Sequence, residues 1–532
     1  MKKNTMATAI VAGLAGIAGI ANISTAVNVN PDGVGQVLLY PYYTVNGNNS
    51  TVLSVVNTTS AGKAVKVRFL DARNSREVLD FNLYLSEFDV WTAAVFSLAA
   101  TGPANITTSD TSCTVPGIES GIFLLPTLAD GRRYYPFQTS FFTDFTAAGL
   151  NTASPTRTRD GYVELIEMGS IPTDSTFGSA LTHVGGRPAA CAALESAWLS
   201  TGVWTATAGA IDLEPPTGGL FGGAALVNVS DGTYINYNAD AVDGFSASVL
   251  HTAPGSDRPN LTNANGATPG AVTSYVFDRG RLITSNWLTA SGGGVNAVSA
   301  VFDREAVFNE YAVDPDLAAS SEWIVTFPTR RYYVGSTTAT APFTVGFGTA
   351  STGAAGACER VSGRIYDREE DTFRIFNFSP SVGQTQICWE ANPLWFQRTP
   401  QAATANSPIH GAPGATSTTI PLWTGVPTYL QLFGIIQQTF NNGWFWLGFY
   451  DENAINSAGI PTPLLRPALV ETAPAAGTVA DRYYGLPATG YWALRVENAN
   501  ARPGVQGFYG GAYPHRASRA CFKGNYGTTP CD

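Results

Sequence analysis

Ala64-Val65-Lys66-Val67-Arg68-Phe69-Leu70, the turn Asp71-Ala72-Arg73-Asn74-Ser75, and Glu77-Val78-Leu79-Asp80-Phe81-Asn82-Leu83-Tyr84-Leu85-Ser86 form the stretch on which the fold class turns. In the first run Val65, Val67 and Phe69 point one way, and Lys66 and Arg68 the other. In the second, Leu79, Phe81, Leu83 and Leu85 share a face opposite Asp80, Asn82 and Tyr84. Successive side chains leave a strand on opposite faces, so a repeat of two marks half-buried β-strands.

The same texture extends outward. Runs 34–45 and 51–57 lie upstream, separated by Asn46-Gly47-Asn48-Asn49, and short β-branched or aromatic runs follow at 161–168, 272–277, 297–302, 322–327, 373–378 and 491–496. Helical spacing is scarce: 189–200 around Leu194 and Trp198, and a turn or two at 316–323. Short strands broken by turn residues predict an all-β chain of immunoglobulin-like β-sandwiches: two to three packed β-domains, long Gly/Pro-rich loops and very few short helices. Segments 210–223, 252–271 and 399–421 are rich in Pro, Gly, Ser, Thr, Ala and Asn. They place boundaries near 205 and 400, giving an N-terminal sandwich over 27–205, a central β-domain over 206–400 and a C-terminal β-domain over 401–532. The alternative is one interlocked β-structure in which these segments are long loops.

The 532 residues include 55 Gly and 32 Pro, and 13% of them are charged, against about 25% in ordinary soluble domains. With 44% hydrophobic residues the chain can bury a large core and lacks the profile of a disordered one. Lys2 and Lys3 precede an apolar run from Met6 to Ala21, and Ser24-Thr25-Ala26 fits a small-x-small cleavage site. Residues 1–26 therefore read as a secretory signal peptide with the mature chain starting at Val27. The net charge of −10 becomes −12 without Lys2 and Lys3. An acidic chain with only Lys63, Lys66 and Lys523 beyond the leader excludes nucleic acid as an expected partner. No later segment has the length and apolarity of a transmembrane helix.

Cys113, Cys191, Cys358, Cys388, Cys521 and Cys531 are an even set without a CxxC pair. Disulfides are expected, and proximity favours Cys113–Cys191, Cys358–Cys388 and Cys521–Cys531 among 15 connectivities. Two short patterns recur. One is aromatic-Asp-Arg, at Phe277-Asp278-Arg279, Phe302-Asp303-Arg304 and Tyr366-Asp367-Arg368; the other is Arg133-Tyr134-Tyr135, Arg331-Tyr332-Tyr333 and Arg482-Tyr483-Tyr484. The second set reads either as strand ends whose Arg pairs with a carboxylate or as a repeated interaction surface, since Arg and Tyr dominate interface hot spots.

Catalytic chemistry has little to stand on. His183, His251, His410 and His515 lack metal-ligand spacing, and no GxSxG elbow, P-loop or complete GxGxxG occurs. Glu164 and Glu167 could be offered as a glycosidase pair, but three residues apart on a strand they face opposite ways. Oxygen ligands for Ca²⁺ could come from Asn238, Asp240 and Asp243 before Gly244, or from Asp367, Glu369, Glu370 and Asp371; neither set matches a calcium-loop spacing, and solvated acidic turns are the plainer reading. No other cofactor and no enzyme activity are expected. In Trp444-Phe445-Trp446 and Phe449-Tyr450, alternation puts Trp444, Trp446 and Tyr450 on one face and Phe445, Leu447 and Phe449 on the other. A strand apolar on both faces reads as a buried central strand more readily than as a sugar-stacking platform.

Val52-Leu53-Ser54-Val55-Val56-Asn57-Thr58-Thr59 with Val65-Lys66-Val67-Arg68-Phe69-Leu70-Asp71 resembles the opening strands of immunoglobulin-like modules in bacterial surface proteins. Gly161-Tyr162-Val163-Glu164-Leu165-Ile166-Glu167-Met168-Gly169, Trp323-Ile324-Val325-Thr326-Phe327-Pro328-Thr329 and Tyr509-Gly510-Gly511-Ala512-Tyr513-Pro514-His515-Arg516 are similar to segments of large secreted proteobacterial cell-surface proteins. The resemblance implies location at the cell surface or outside a Gram-negative cell, and transfers no catalytic residue. The expected role is an exported structural subunit of a surface layer, filament or extracellular matrix, partnered by copies of itself. A carbohydrate-binding adhesin partnered by cell-surface glycans is the alternative, with a glycan-active hydrolase behind it.

Overall fold

The computed structural model describes residues 26–118, 125–140, 154–206, 211–266, 269–335, 337–347, 357–370, 372–375, 386–398, 405–412, 420–423, 440–450 and 465–532, with backbone alone at 372–375 and 420–423. The chain is all-β, with two pairs of sheets packed as sandwiches and a hairpin and helix between them.

The first pair holds the stretch quoted above. A seven-stranded antiparallel sheet runs in the order Asn28–Val29, Asp240–Asp243, Val37–Thr44, Asp160–Ile171, Gly62–Asp71, Glu77–Leu85, Cys113–Val115. A six-stranded sheet faces it in the order Thr233–Asn238, Leu220–Asn228, Ser50–Asn57, Val90–Ser97, Ala104–Thr107, Tyr135–Pro136. Val65, Val67, Phe69, Phe81, Leu83 and Leu165 pack against Leu53, Val55, Trp91 and Val95 between the two. The expected boundary at 205/206 thus falls inside a sandwich, because 220–228 pairs with 50–57 and 240–243 with 37–44.

The second pair consists of one sheet ordered Thr372–Ile375, Ser362–Asp367, Asn442–Gly448, Ala306–Ala312, Arg516–Ser518, and another ordered Ile420–Trp423, Ala391–Gln397, Ala319–Thr326, Thr489–Arg502, Val505–Pro514. Tyr311, Trp323, Phe396, Phe445, Leu447 and Trp492 belong to the core around them. The boundary expected at 400 is likewise crossed, since 319–326 pairs with both 391–397 and 489–502. Strands distant in the chain pair across both expected boundaries, which segment composition does not disclose.

Two elements depart from expectation. Run 297–302 lies in the helix Gly293–Phe302, buried along its whole length, and 316–323 is a turn leading into strand Ala319–Thr326. A short apolar run fits a buried helix as well as a buried strand. Arg304 and Arg519 donate to the Val301 carbonyl at 3.1 and 3.0 Å, supplying cations at the helix C-terminus. The helix expected at 189–200 is present as Cys191–Ala197.

Disulfides join Cys113 to Cys191, Cys358 to Cys388 and Cys521 to Cys531, as proximity suggested. Three such bonds fit an oxidising compartment. No helix among the described residues is long and apolar enough to cross a membrane.

Candidate functional site: an uncharged sheet face and a free strand edge

Charge is distributed unevenly between the sheets of the first sandwich. Strand 62–71 is buried on both faces, so Lys66 and Arg68 do not meet solvent as the period-two reading implied. The side of the seven-stranded sheet away from the core carries a buried ionic layer. There Lys66 Nζ donates to Asp80 at 2.9 Å, and Arg68 to Glu164 at 2.7 Å and Glu77 at 2.8 Å, while on the opposite face, in register with the core residues Val65 and Leu85, Lys63 donates to Glu167 at 2.8 Å. Arg157 donates to Asp71 at 2.7 Å and to Asn74 at 2.8 Å. A buried charge persists only when paired and hydrogen-bonded. Glu164 and Glu167 are thus each held by their own cation, and burial pushes both carboxyls above the usual range.

The six-stranded sheet is the reverse. Its strands 50–57, 90–97, 104–107, 135–136, 220–228 and 233–238 contain no Asp, Glu, Lys or Arg. Inward residues fill the core, yet the outward ones are not charged as a solvated sheet face ordinarily is. Val52 is 39% exposed, Val90 47%, Phe221 42% and Tyr234 61%, interspersed with Ser54, Thr92, Gly223 and Asn236. Register places Val56 between Val90 and Phe221, and Ala225 between Val52 and Asn236, so the neutral rows run across four strands.

A long hairpin adjoins this face: strand Thr489–Arg502, which carries Arg495, Glu497 and Arg502, pairs with strand Val505–Pro514, which is uncharged and ends its sheet. At its base Tyr491 stacks on Tyr237 with centroids 4.6 Å apart, and Gly510 approaches Ile235 so closely that a Cβ there would lie 2.9 Å from Cγ1. Burial falls away toward the tip, and residues 498–506 are exposed. Val505-Gln506-Gly507-Phe508-Tyr509-Gly510-Gly511-Ala512-Tyr513-Pro514 carries no charge, with Tyr509 and Tyr513 outward. An edge strand offers a row of backbone donors and acceptors, and proteins ordinarily guard such an edge with charge, Pro or a bulge. Here the strand itself carries no charge, Pro514 closes one end, and the hairpin register shifts between Asn498 and Arg502 near the other.

The Arg-Tyr-Tyr triplets are dispersed. Tyr135 opens the short strand bordering the uncharged face, and Tyr134 meets Phe96 edge-on at 6.0 Å, with Arg133 contributing its carbonyl to Thr107. Arg331 donates to the Ser75 carbonyl and lies over Tyr332, while Tyr333 donates to Asn296. Tyr483 shares a hydrogen bond with Ser285, Tyr484 donates to the Gly524 carbonyl, and Arg482 lies on a strand between them and the tail. Each triplet is built into its own surroundings, and no single surface gathers the three.

The calcium candidates are similarly placed. Asp240 accepts from Thr489 and Asp243 lies on the same short strand, with burial raising both carboxyls; Asn238 is exposed at the preceding strand end. Asp367 caps a hairpin turn by accepting from the Glu369 amide, Glu370 takes φ +71° within it, and Asp371 lies outside the described residues. Among the described residues the one close trio of metal-type ligands is Asp481, Cys521 and Cys531, and its sulfurs are bonded to each other.

The histidines have structural partners. His410 lies between Glu322 at 2.6 Å and the Tyr491 hydroxyl at 3.1 Å in the second sandwich, and its carbonyl accepts from Thr44 of the first at 3.1 Å, tying segment 405–412 to both. His183 meets Ser86, His251 meets Tyr84, and His515 contacts the Ile324 carbonyl. Strand 442–448 is central, as expected, but only one of its faces is closed. Phe445 and Leu447 are buried, whereas Trp444 is 40% exposed and stacks on Tyr366 at 4.2 Å, with Arg364 over Trp446.

Sequence reasoning missed the uncharged face, although its signal, six strands with no charged residue on either face, was present in the chain. No protein-family model, no curated protein and no solved structure matches this sequence.

Proposed function

We propose that this is an exported structural protein of a bacterial cell surface whose copies assemble through the uncharged sheet face and the adjoining hairpin edge. The observation that carries the reading is the inversion of charge: ionic side chains are buried behind one sheet while the opposite sheet presents none to solvent. Copies beginning at Val27 bear a net −12 and repel one another wherever their acidic surfaces meet, so the uncharged face is where a second copy can approach without that cost. A bare edge adds strands from another chain through backbone hydrogen bonds. Joining face to edge is a head-to-tail contact, and such contacts give layers or filaments when they do not close. The resemblance to secreted proteobacterial surface proteins with immunoglobulin-like modules supports the same reading.

Negative-stain electron microscopy of protein beginning at Val27, with and without millimolar Ca²⁺, tests it. Ordered sheets or filaments are expected, and they should be lost in Val52→Lys/Phe221→Glu. Dispersed monomers in both buffers would overturn the proposal.

A second reading, a carbohydrate-binding surface, is favoured by the open side of strand 442–448. Tyr366, Trp444 and Trp446 present aromatic area beside Arg364, which suits sugar rings with polar groups at their rim. Binding of a glycan array by dispersed protein, lost in Trp444→Ala, would move the assignment there.

A further inference from the structure

Two of the three lysines beyond the leader are buried against carboxylates, and their surroundings differ in a chemically informative way. Lys63 Nζ has three acceptors: Glu167 at 2.8 Å, Ser170 at 3.2 Å and Thr217 at 2.5 Å. Glu167 in turn accepts from the amides of Thr217 and Gly218. That is a full complement for an ammonium and a carboxylate, so this pair is built to stay ionic. Lys66 Nζ has two acceptors, Asp80 Oδ2 and the Ala253 carbonyl, both at 2.9 Å. Two acceptors match the two N–H groups of a neutral amine, whose lone pair is then free. The Lys66 side chain is wholly buried and that of Asp80 nearly so. Asp80 Oδ2 also accepts from the Gly255 amide at 2.8 Å, which fixes the carboxyl and draws electron density from its carbon.

We propose that Lys66 and Asp80 condense to an isopeptide bond that cross-links strands 62–71 and 77–85. The Lys66 Nζ lone pair attacks Asp80 Cγ, forming the N–Cγ bond; one Cγ–O bond breaks and that oxygen leaves as water. Ammonium plus carboxylate becomes amide plus water, so atoms, charge and protons balance without an oxidant or co-reactant. Glu77, on the same strand as Asp80, feels both groups and has a carboxyl raised by burial. Lys66 first passes one ammonium proton to Asp80 Oδ2, its hydrogen-bond partner, leaving an amine and a carboxylic acid; after attack Glu77 relays a second proton from Nζ to the departing hydroxyl, which leaves as water. Burial holds the Lys66 amine below its ordinary range, which eases loss of its proton to Asp80. Two buried charges give way to one neutral amide, which removes the desolvation cost that an ion pair retains.

The intact mass of the reduced full-length mature protein decides the matter. The expected value lies about 18 Da, one water, below that calculated from the sequence, with a proteolytic fragment pair joined at Lys66 and Asp80. Lys66→Met should have the full calculated mass, Glu77→Gln should remain largely uncross-linked, and Lys63→Met should keep the deficit. A wild-type protein at its full calculated mass, or a deficit mapped to any other pair, overturns the proposal. The wild-type measurement is decisive even if Lys66→Met fails to fold.

Discussion

Arg68 is the residue whose surroundings say most about how this chain tolerates charge. Its guanidinium lies between Glu77 and Glu164 with no exposure. Arg68→Met leaves two buried carboxyls without their cation and should cost about 3–5 kcal/mol in denaturant unfolding, as breaking buried pairs does. Adding Glu77→Gln and Glu164→Gln should recover part of the loss. Two other buried groups give the pH dependence opposite signs. His515 is held down to about 4 by burial, so it is neutral in the fold and titrates near 6.5 when unfolded. Its stabilising effect is present above about pH 6.5 and is lost as pH falls toward 4. Glu390 is pushed up to about 8, chiefly by burial, against the opposing pull of Arg330 and Arg331. Its contribution is complete below about pH 4.5 and is lost as pH rises through 8, each unit being worth about 1.4 kcal/mol. Melting curves should therefore show Glu390→Gln flattening the alkaline decline and His515→Phe flattening the acid one.

At the scale of elements, the strands were legible and their covering was not. The alternation in 64–70 and 77–86 located two strands and their inner faces correctly, because Val65, Val67, Phe69, Phe81 and Leu83 do line the core. Lys66, Arg68 and Asp80 were read as solvent-facing because periodicity reports which residues share a face, not what lies over it. Run 297–302 failed for a related reason: five apolar residues around Ser299 satisfy a buried helix and a buried strand alike. The Cys521–Cys531 bond fastens the last strands of the tail, Cys521–Lys523 and Thr529–Pro530. Closing so short a loop is worth about 2–3 kcal/mol on the chain-entropy account, so Cys521→Ser/Cys531→Ser should lower stability by that order and expose the tail to limited proteolysis. In the hairpin arm, Tyr509→Lys puts a charge on the bare edge. It should leave the melting temperature within a degree or two, since exposed changes rarely exceed about 0.5 kcal/mol, while abolishing assembly seen by light scattering.

For the whole molecule, the candidate site was written as an absence. No motif marks it; what marks it is 37 strand residues without a charge, gathered into one sheet from distant segments, as Asn57 and Leu220 pair across 163 positions. Only the topology shows that these segments are neighbours, which is why the same residues looked like unrelated core strands along the chain. Assembly through such a face should resist salt: with no ion pairs to screen, raising ionic strength should preserve or strengthen the polymer, and sedimentation across a sodium chloride series would show it.

The placement of the lysines has a practical corollary for chemistry done on the intact protein. Lys63 and Lys66 are sealed inside, and Lys523, beside the terminal Asp532, keeps a quarter of its side chain in water. An amine-directed dye, biotin or gold cluster would thus find one lysine side chain per molecule, on the small sheet formed by the C-terminal tail. Every copy would carry its tag in the same place, so a lightly labelled assembly would display the polarity and repeat of its packing directly in an electron micrograph.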